Sequence, residues 1–271
     1  MSEVFQGISQ KAVVAGNITW RVASTGPEDG PAILLVHGFP EHWRTWTLQM
    51  PALAGAGFRV HACDLPGYGG TSAPSGYDIP TVAAGMADLA RELSPDGVHL
   101  VGHDWGAIVA NGVAYFHPET VRSIVAACGP HPGSFGTGKR HPQQLMKSWY
   151  VMLFQVPYIE QLLGFRTLIE RALPDAVVGI DTREEMARAL SYYRTNFAPW
   201  GPAQEKIGSI KQPALVIHAQ KDIAITDAIM DVTAEKFEDL RDYIKMPNGH
   251  FLQRDGTEEF NRHLVAFLKS V

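Results

Sequence analysis

Hydrophobic and polar positions alternate along most of this chain in short blocks. Ala32–Val36 is apolar at every position, the pattern of a strand buried on both faces. Less uniformly apolar stretches predict strands at Val13–Val14 and Ile18–Ala23, then at Phe58–Cys63, Val98–Val101 and Val121–Ala127. Between them, apolar residues recurring at helical spacing predict helices at Trp43–Leu53, Ile79–Leu93 and Trp105–Phe116. The rhythm returns after Pro213, with strands at Ala214–His218 and Tyr243–Met246 and helices at Asp227–Phe237 and Glu258–Leu268. Such alternation specifies an α/β fold: a mostly parallel eight-stranded sheet with helices on both faces.

The pattern breaks between about Pro130 and Pro202. That stretch begins with a loop rich in Gly, Pro, His and basic residues and continues as helical, aromatic sequence with no clear buried strand. The expected organisation is a core formed by residues 1–129 and 205–271, with residues 130–204 inserted as a helical unit. An insertion at that point lies over the carboxyl ends of the strands, where open α/β sheets place their ligands.

Composition narrows the picture. The 271 residues are 45% hydrophobic and 19% charged, enough for one large domain with an insertion. Net charge is −5 with no block of one sign, so neither nucleic acid nor an anionic membrane is an expected partner. No apolar run approaches the roughly 18 residues of a membrane span. The opening MSEVFQGISQ lacks the charged start and apolar stretch of a secretory signal. Cys63 and Cys128 sit in apolar contexts and are expected to be buried, reduced thiols, which suits a cytoplasmic protein.

The chemistry concentrates at three strand ends. The strand Val98–Val101 runs into a helix through Gly102-His-Asp104-Trp-Gly106, a turn in which glycines flank the residue that elsewhere is a nucleophile, usually Ser. Asp104 is then a carboxylate nucleophile or, alternatively, a cap for the following helix. Ala32–Val36 ends in His37-Gly38-Phe39-Pro40, a sharp turn whose N–H groups either help form an oxyanion hole or simply close a loop. Downstream, Asp222 and His250 each follow a strand, in the order nucleophile, acid, histidine. Asp227 is a second candidate for the acid. Otherwise Asp222 is a plain loop carboxylate and His250 a turn residue.

These residues resemble the α/β-hydrolase superfamily and, within it, the epoxide hydrolases. The similarity runs through His37-Gly-Phe-Pro-Glu-His-Trp43, Asp64-Leu-Pro-Gly-Tyr-Gly-Gly-Thr-Ser72 and Gly102-His-Asp-Trp-Gly106, in family order and spacing. The resemblance implies an α/β-hydrolase fold, with Asp104 as nucleophile, His250 as base and Asp222 as its orienting acid. It implies an oxyanion hole from the N–H groups of Phe39 and Trp105. The insertion becomes a cap, and Tyr150 and Tyr193 match the two cap tyrosines that hold the epoxide oxygen, with Tyr192 as the fallback for the second. His37, Pro40, Trp105, Trp149, Phe154 and Phe251 are expected to line the substrate site. The implied reaction turns a small-molecule epoxide into a vicinal diol and needs no cofactor or metal; the chain is a monomer or homodimer. The sequence departs from the family in Ala107, in a cap of only about seventy residues, and in lacking the extra N-terminal domain of the two-domain mammalian enzymes.

Rival readings are weaker. Gly67-Tyr-Gly-Gly70 lacks the lysine of a phosphate loop and reads as a tight turn. The histidines show no metal-ligand spacing. A haloalkane or haloacetate dehalogenase would share the Asp nucleophile, but haloalkane enzymes have Asn where this chain has Phe39. Fluoroacetate enzymes have Arg after the nucleophile and a His-Trp pair where this chain has Trp149-Tyr150. A non-catalytic ligand-binding protein of the same fold would not need the full triad.

Overall fold

The computed structural model describes residues 7–134, 141–197 and 207–271. Eight strands form one sheet in the order β1-β2-β4-β3-β5-β6-β7-β8. They are β1 (Ser9–Ala15), β2 (Ile18–Thr25), β3 (Ala32–Val36), β4 (Arg59–Cys63), β5 (Val98–His103), β6 (Val121–Ala127), β7 (Ala214–Lys221) and β8 (Leu240–Gly249). Pairing is antiparallel across β1–β2 and β2–β4 and parallel from β4 to β8. The sheet is the eight-stranded, mostly parallel one the alternation predicts.

Strand pleating divides the core in two. Along β3, Ala32, Leu34 and Val36 feed one cluster with Trp20, Met86 and Trp105; Ile33 and Leu35 feed the other with Trp46, Leu53 and Phe260. Helices α2 (Ile79–Leu93) and α3 (Trp105–Phe116) cover the first face; α1 (Met50–Gly55) and α10 (Thr257–Leu268) cover the second. Asp78 caps α2 by accepting from Thr81 N at 3.0 Å, just ahead of Pro80, whose missing N–H is harmless in a first turn.

One predicted helix is broken. Trp43–Leu53 folds as a 3₁₀ turn over Trp43–Trp46 and a separate α1 that starts at Met50. Pro51 accounts for the break: it cannot donate back into a preceding turn, but it suits the start of a new helix.

Between β6 and β7 the described residues include the α-helices α4 (Pro142–Lys147), α5 (Trp149–Phe154), α6 (Phe165–Ala172) and α7 (Arg183–Asn196), and Ile210 makes an isolated β-bridge with Phe237. Thr182 and Glu185 close a reciprocal capping box at the start of α7. The expected boundary at residues 204 and 205 falls outside the described residues. Three more helices complete the chain: α8 (Asp227–Ala234), α9 (Leu252–Asp255) and α10. No helix among the described residues is long and apolar enough to cross a membrane. Both cysteines are buried and unpaired.

Candidate active site

The turn from β5 to α3 is built by exclusion of side chains. A Cβ on Gly102 would lie 2.4 Å from the carbonyl carbon of Gly106, and a Cβ on Gly106 would lie 2.1 Å from the Val36 carbonyl oxygen. Both contacts are to backbone, so only glycine lets strand and helix approach this closely. Asp104, between them, is forced to φ 52, a region that L residues rarely occupy and that the surrounding contacts must hold. Its side chain makes no cap hydrogen bond to α3, so the capping alternative is not what the fold builds.

The Asp104 carboxylate is instead turned toward the β3 loop. Phe39 N donates to its Oδ1 at 2.7 Å. Trp105 N–H is the first of α3 and so has no acceptor within the helix. These are the two N–H groups expected to form the oxyanion hole. Gly38 must be glycine here as well, since a Cβ would lie 2.3 Å from Oδ1.

His250 follows β8 and Asp222 follows β7, neighbouring parallel strands whose ends bring the two together. His250 Nδ1 donates to Asp222 Oδ2 at 2.8 Å, and its Nε2 lies 3.5 Å from Asp104 Oδ2. Asp222 Oδ1 accepts from Ala224 N at 2.7 Å and Ile225 N at 2.9 Å, so the loop wraps around the carboxylate and aims the other oxygen at the imidazole. Burial pushes Asp222 up, but His250 and those hydrogen bonds outweigh it and hold the carboxyl at about 2. Burial pulls the His250 imidazole down, but Asp222 and the hydrogen bonds to both carboxylates outweigh it and hold His250 well above the ordinary histidine value. Asp227, the other candidate acid, sits at the start of α8 and pairs with His218 Nε2 at 2.9 Å, away from His250.

Two apolar lobes of about 230 and 220 Å³ meet at Asp104, Tyr150 and Tyr193, which line both. Phe39, Trp149, Phe154, His250 and Phe251 line the first lobe and Trp105 the second. Trp149, Leu168 and Ile223 line the first lobe while more than half exposed, so that lobe opens to solvent between them. His37 and Pro40 are buried but line neither lobe. The His37 ring is spent on backbone: Leu65 N donates to its Nε2 at 2.9 Å, leaving Nδ1–H to donate to the Gly38 carbonyl at 2.9 Å. That contact shapes the turn at Gly38; lining neither lobe, His37 and Pro40 both depart from the expectation that they line the substrate site.

The tyrosines sort themselves. Tyr150, on α5, and Tyr193, on α7, have ring centroids 6.0 Å apart and edge-to-face. Burial first, and the charge of Asp104 second, push both phenols up, so both keep their protons. Trp105 packs edge-on against the Tyr193 ring, with centroids 5.1 Å apart. Tyr192 instead donates its hydroxyl to the Pro66 carbonyl at 2.9 Å.

Sequence reading passed over a buried group behind the triad. His103 Nε2 donates to the His250 carbonyl at 2.8 Å, while its Nδ1 lies 3.4 Å from Glu41 Oε2, with Thr45 and Gln253 completing the cluster. A second histidine at the end of a fully buried strand was the available signal. Asp64 is likewise structural: it accepts from Trp43 N at 2.9 Å and Gly70 N at 3.2 Å, so the Gly67–Gly70 run is a turn wrapped around a carboxylate. Among the described residues, two trios of potential metal donors both include Cys128. Burial pushes its thiol up to about 12, whereas a metal would need the thiolate.

Known proteins resemble this chain in sequence and fold. A model of the alpha/beta hydrolase family matches residues 33–263. Epoxide hydrolase 3 of Xenopus tropicalis is 32% identical over 286 residues, covering 93% of this chain and 75% of the relative. Epoxide hydrolase A of Mycobacterium tuberculosis is 28% identical, covering 96% and 97%. Among solved structures, a mutant of the Vigna radiata epoxide hydrolase superposes with a TM-score of 0.78 at 26% identity, over 98% of this chain and 100% of that one. By fold, by site and by these relationships, the chain belongs to the α/β-hydrolase family, in its epoxide hydrolase branch.

Proposed function

We propose that the chain opens apolar epoxides to vicinal diols through a covalent ester on Asp104. The observation that carries this reading is the placement of two phenols, Tyr150 and Tyr193, on the same cavity as the Asp104 carboxylate, whose Oδ1 accepts from a backbone N–H. Residues 130–204 act as the cap that brings the phenols, and 1–129 with 205–271 act as the core. Buried thiols at Cys63 and Cys128 agree with a cytoplasmic setting.

In the first half-reaction Asp104 Oδ2 attacks one ring carbon and the C–O bond to that carbon breaks. A carboxylate needs no base for this. A tyrosine donates its proton to the departing oxygen, giving the hydroxyl of a hydroxyalkyl ester and a tyrosinate. His250, held protonated between two carboxylates, returns a proton to the tyrosinate and becomes neutral. Esterification has by then removed the charge on Asp104, one of the two groups that kept the imidazole protonated, so the neutral form is favoured when it is needed.

In the second half-reaction His250 takes a proton from water, with Asp222 fixing the ring. The hydroxide adds to the ester carbonyl, and the Phe39 and Trp105 N–H groups stabilise the oxyanion. Collapse releases the diol and regenerates Asp104 and protonated His250. A halide leaving group takes no proton, so a dehalogenase has no use for this phenol pair.

A single turnover in oxygen-18 water tests the reading. Label should enter the Asp104 carboxylate and leave the first-turnover diol unlabelled. Solvent oxygen in that first diol would overturn it.

A further inference from the structure

Helix α4 holds the loop that carries the triad acid. Gln144, buried, donates from Nε2 to the Ala224 carbonyl at 2.8 Å and accepts at Oε1 from Thr226 N at 2.9 Å and Thr226 Oγ1 at 3.0 Å. Lys147, one turn on, donates from Nζ to the Asp222 and Ile225 carbonyls, the latter at 3.1 Å. Two side chains thus engage four residues of one short loop. The same loop is gripped from within by Asp222 Oδ1, which accepts the Ala224 and Ile225 N–H groups. Its conformation therefore decides where Asp222 Oδ2, and with it His250, points.

The other end of this arrangement is the phenol. Gln144 Nε2 also donates to Ser148 Oγ at 3.0 Å, and Ser148 is the residue at which α4 ends and α5 begins. Tyr150 is two residues further. Lys147, Ile223 and Ala224 line the first lobe, while Gln144, Ser148 and Ile225 line the second, so this contact is the wall between the lobes beside Asp104. A buried amide deprived of its partners is costly, so the loop and α4 hold one another in register.

We propose that Gln144 and Lys147 are positioning residues that clamp the Asp222 loop to the helix carrying Tyr150, so that one contact sets the geometry of both half-reactions. The proposal rests on the epoxide reading above. It differs from the roles already assigned: Tyr150 serves only ring opening and Asp222 only ester hydrolysis, whereas the clamp touches neither substrate bond and serves both.

The experiment measures alkylation and ester-hydrolysis rates separately, by quench-flow and intact-protein mass, with one epoxide that wild type turns over. Gln144→Leu and Lys147→Met should each slow both half-reactions together by about 10- to 100-fold, the usual consequence of displacing reacting groups by a fraction of an ångström. Tyr150→Phe should slow alkylation alone, and Asp222→Asn hydrolysis alone. Lys147→Arg keeps donors at the same place and should recover most of both rates. If Gln144→Leu does not fold, the Lys147 pair decides. A clamp variant with both rates at wild-type values, whatever its thermal midpoint, overturns the proposal, as does loss confined to one half-reaction or failure of Lys147→Arg to recover either. Wild type that alkylates with no epoxide of a broad panel overturns the epoxide reading itself, which the same experiment reads independently.

Discussion

Tyr192 and Tyr193 are consecutive residues of α7 with opposite assignments: Tyr192 donates its hydroxyl to the Pro66 carbonyl at 2.9 Å, while Tyr193 lines both lobes beside Asp104. A helix turns about 100° per residue, so neighbours cannot face the same space. One phenol is consumed by the core and the other is left for chemistry.

The difference predicts separable phenotypes. Tyr193→Phe or Tyr150→Phe should slow alkylation by about 10- to 100-fold, the worth of one positioned acid, and the double variant by much more. Tyr192→Phe should leave alkylation near wild type and cost about 1 kcal/mol of stability, from the buried hydrogen bond it loses. Pre-steady-state alkylation and urea unfolding of the four proteins check both.

His250→Gln should stop the reaction halfway. A carboxylate nucleophile needs no base to attack, so ring opening survives, but water is not activated. The alkyl-enzyme should accumulate and be visible by mass of the intact protein; a variant that turns over like wild type, or that never becomes alkylated, counts against His250 as the base that activates water.

The His250–Asp222 pair predicts how stability depends on pH. His250 is raised in the folded protein, so its contribution is full below the unfolded histidine value and is lost as pH rises through the folded one. Asp222 is depressed to about 2, so its contribution is full above the unfolded aspartate value and is lost as pH falls toward 2. Both are present together between about pH 4 and 6.5. Denaturation of wild type and Asp222→Asn across pH 3 to 9 should show the largest difference in that window, shrinking on the alkaline side.

Gly38→Ala should separate folding from function. Its Cβ would lie 2.3 Å from Asp104 Oδ1 and 2.4 Å from Asp104 Cβ, so the nucleophile must leave the Phe39 N–H. Alkylation should fall about 100-fold, as for a misplaced reacting group. Circular dichroism should remain that of the native fold; unchanged alkylation would show that Oδ1 is not held there for catalysis.

Local chemistry made much of this legible in advance. Fully apolar runs such as Ala32–Val36 could only be buried strands, and glycines at 102 and 106 announced a turn too tight for side chains. Asp222 and His250 were found because strand ends are where a parallel sheet gathers its loops. What escaped depends on contacts between distant segments. Nothing local to Gln144 points to Thr226, 82 residues away, and nothing local to Glu41 points to Gln253, 212 residues away. His37 was misjudged for the same reason, because its partner Leu65 lies across a strand connection.

The two lobes that meet at Asp104 are apolar and nearly equal in volume. For an epoxide bearing unlike groups on its two carbons, such a pocket discriminates poorly between head-first and tail-first entry. Each entry presents a different carbon to the carboxylate, and attack inverts whichever carbon it strikes. A single mirror-image form bound in both senses would then give both mirror-image diols, so such a pocket returns a diol of low enantiomeric excess.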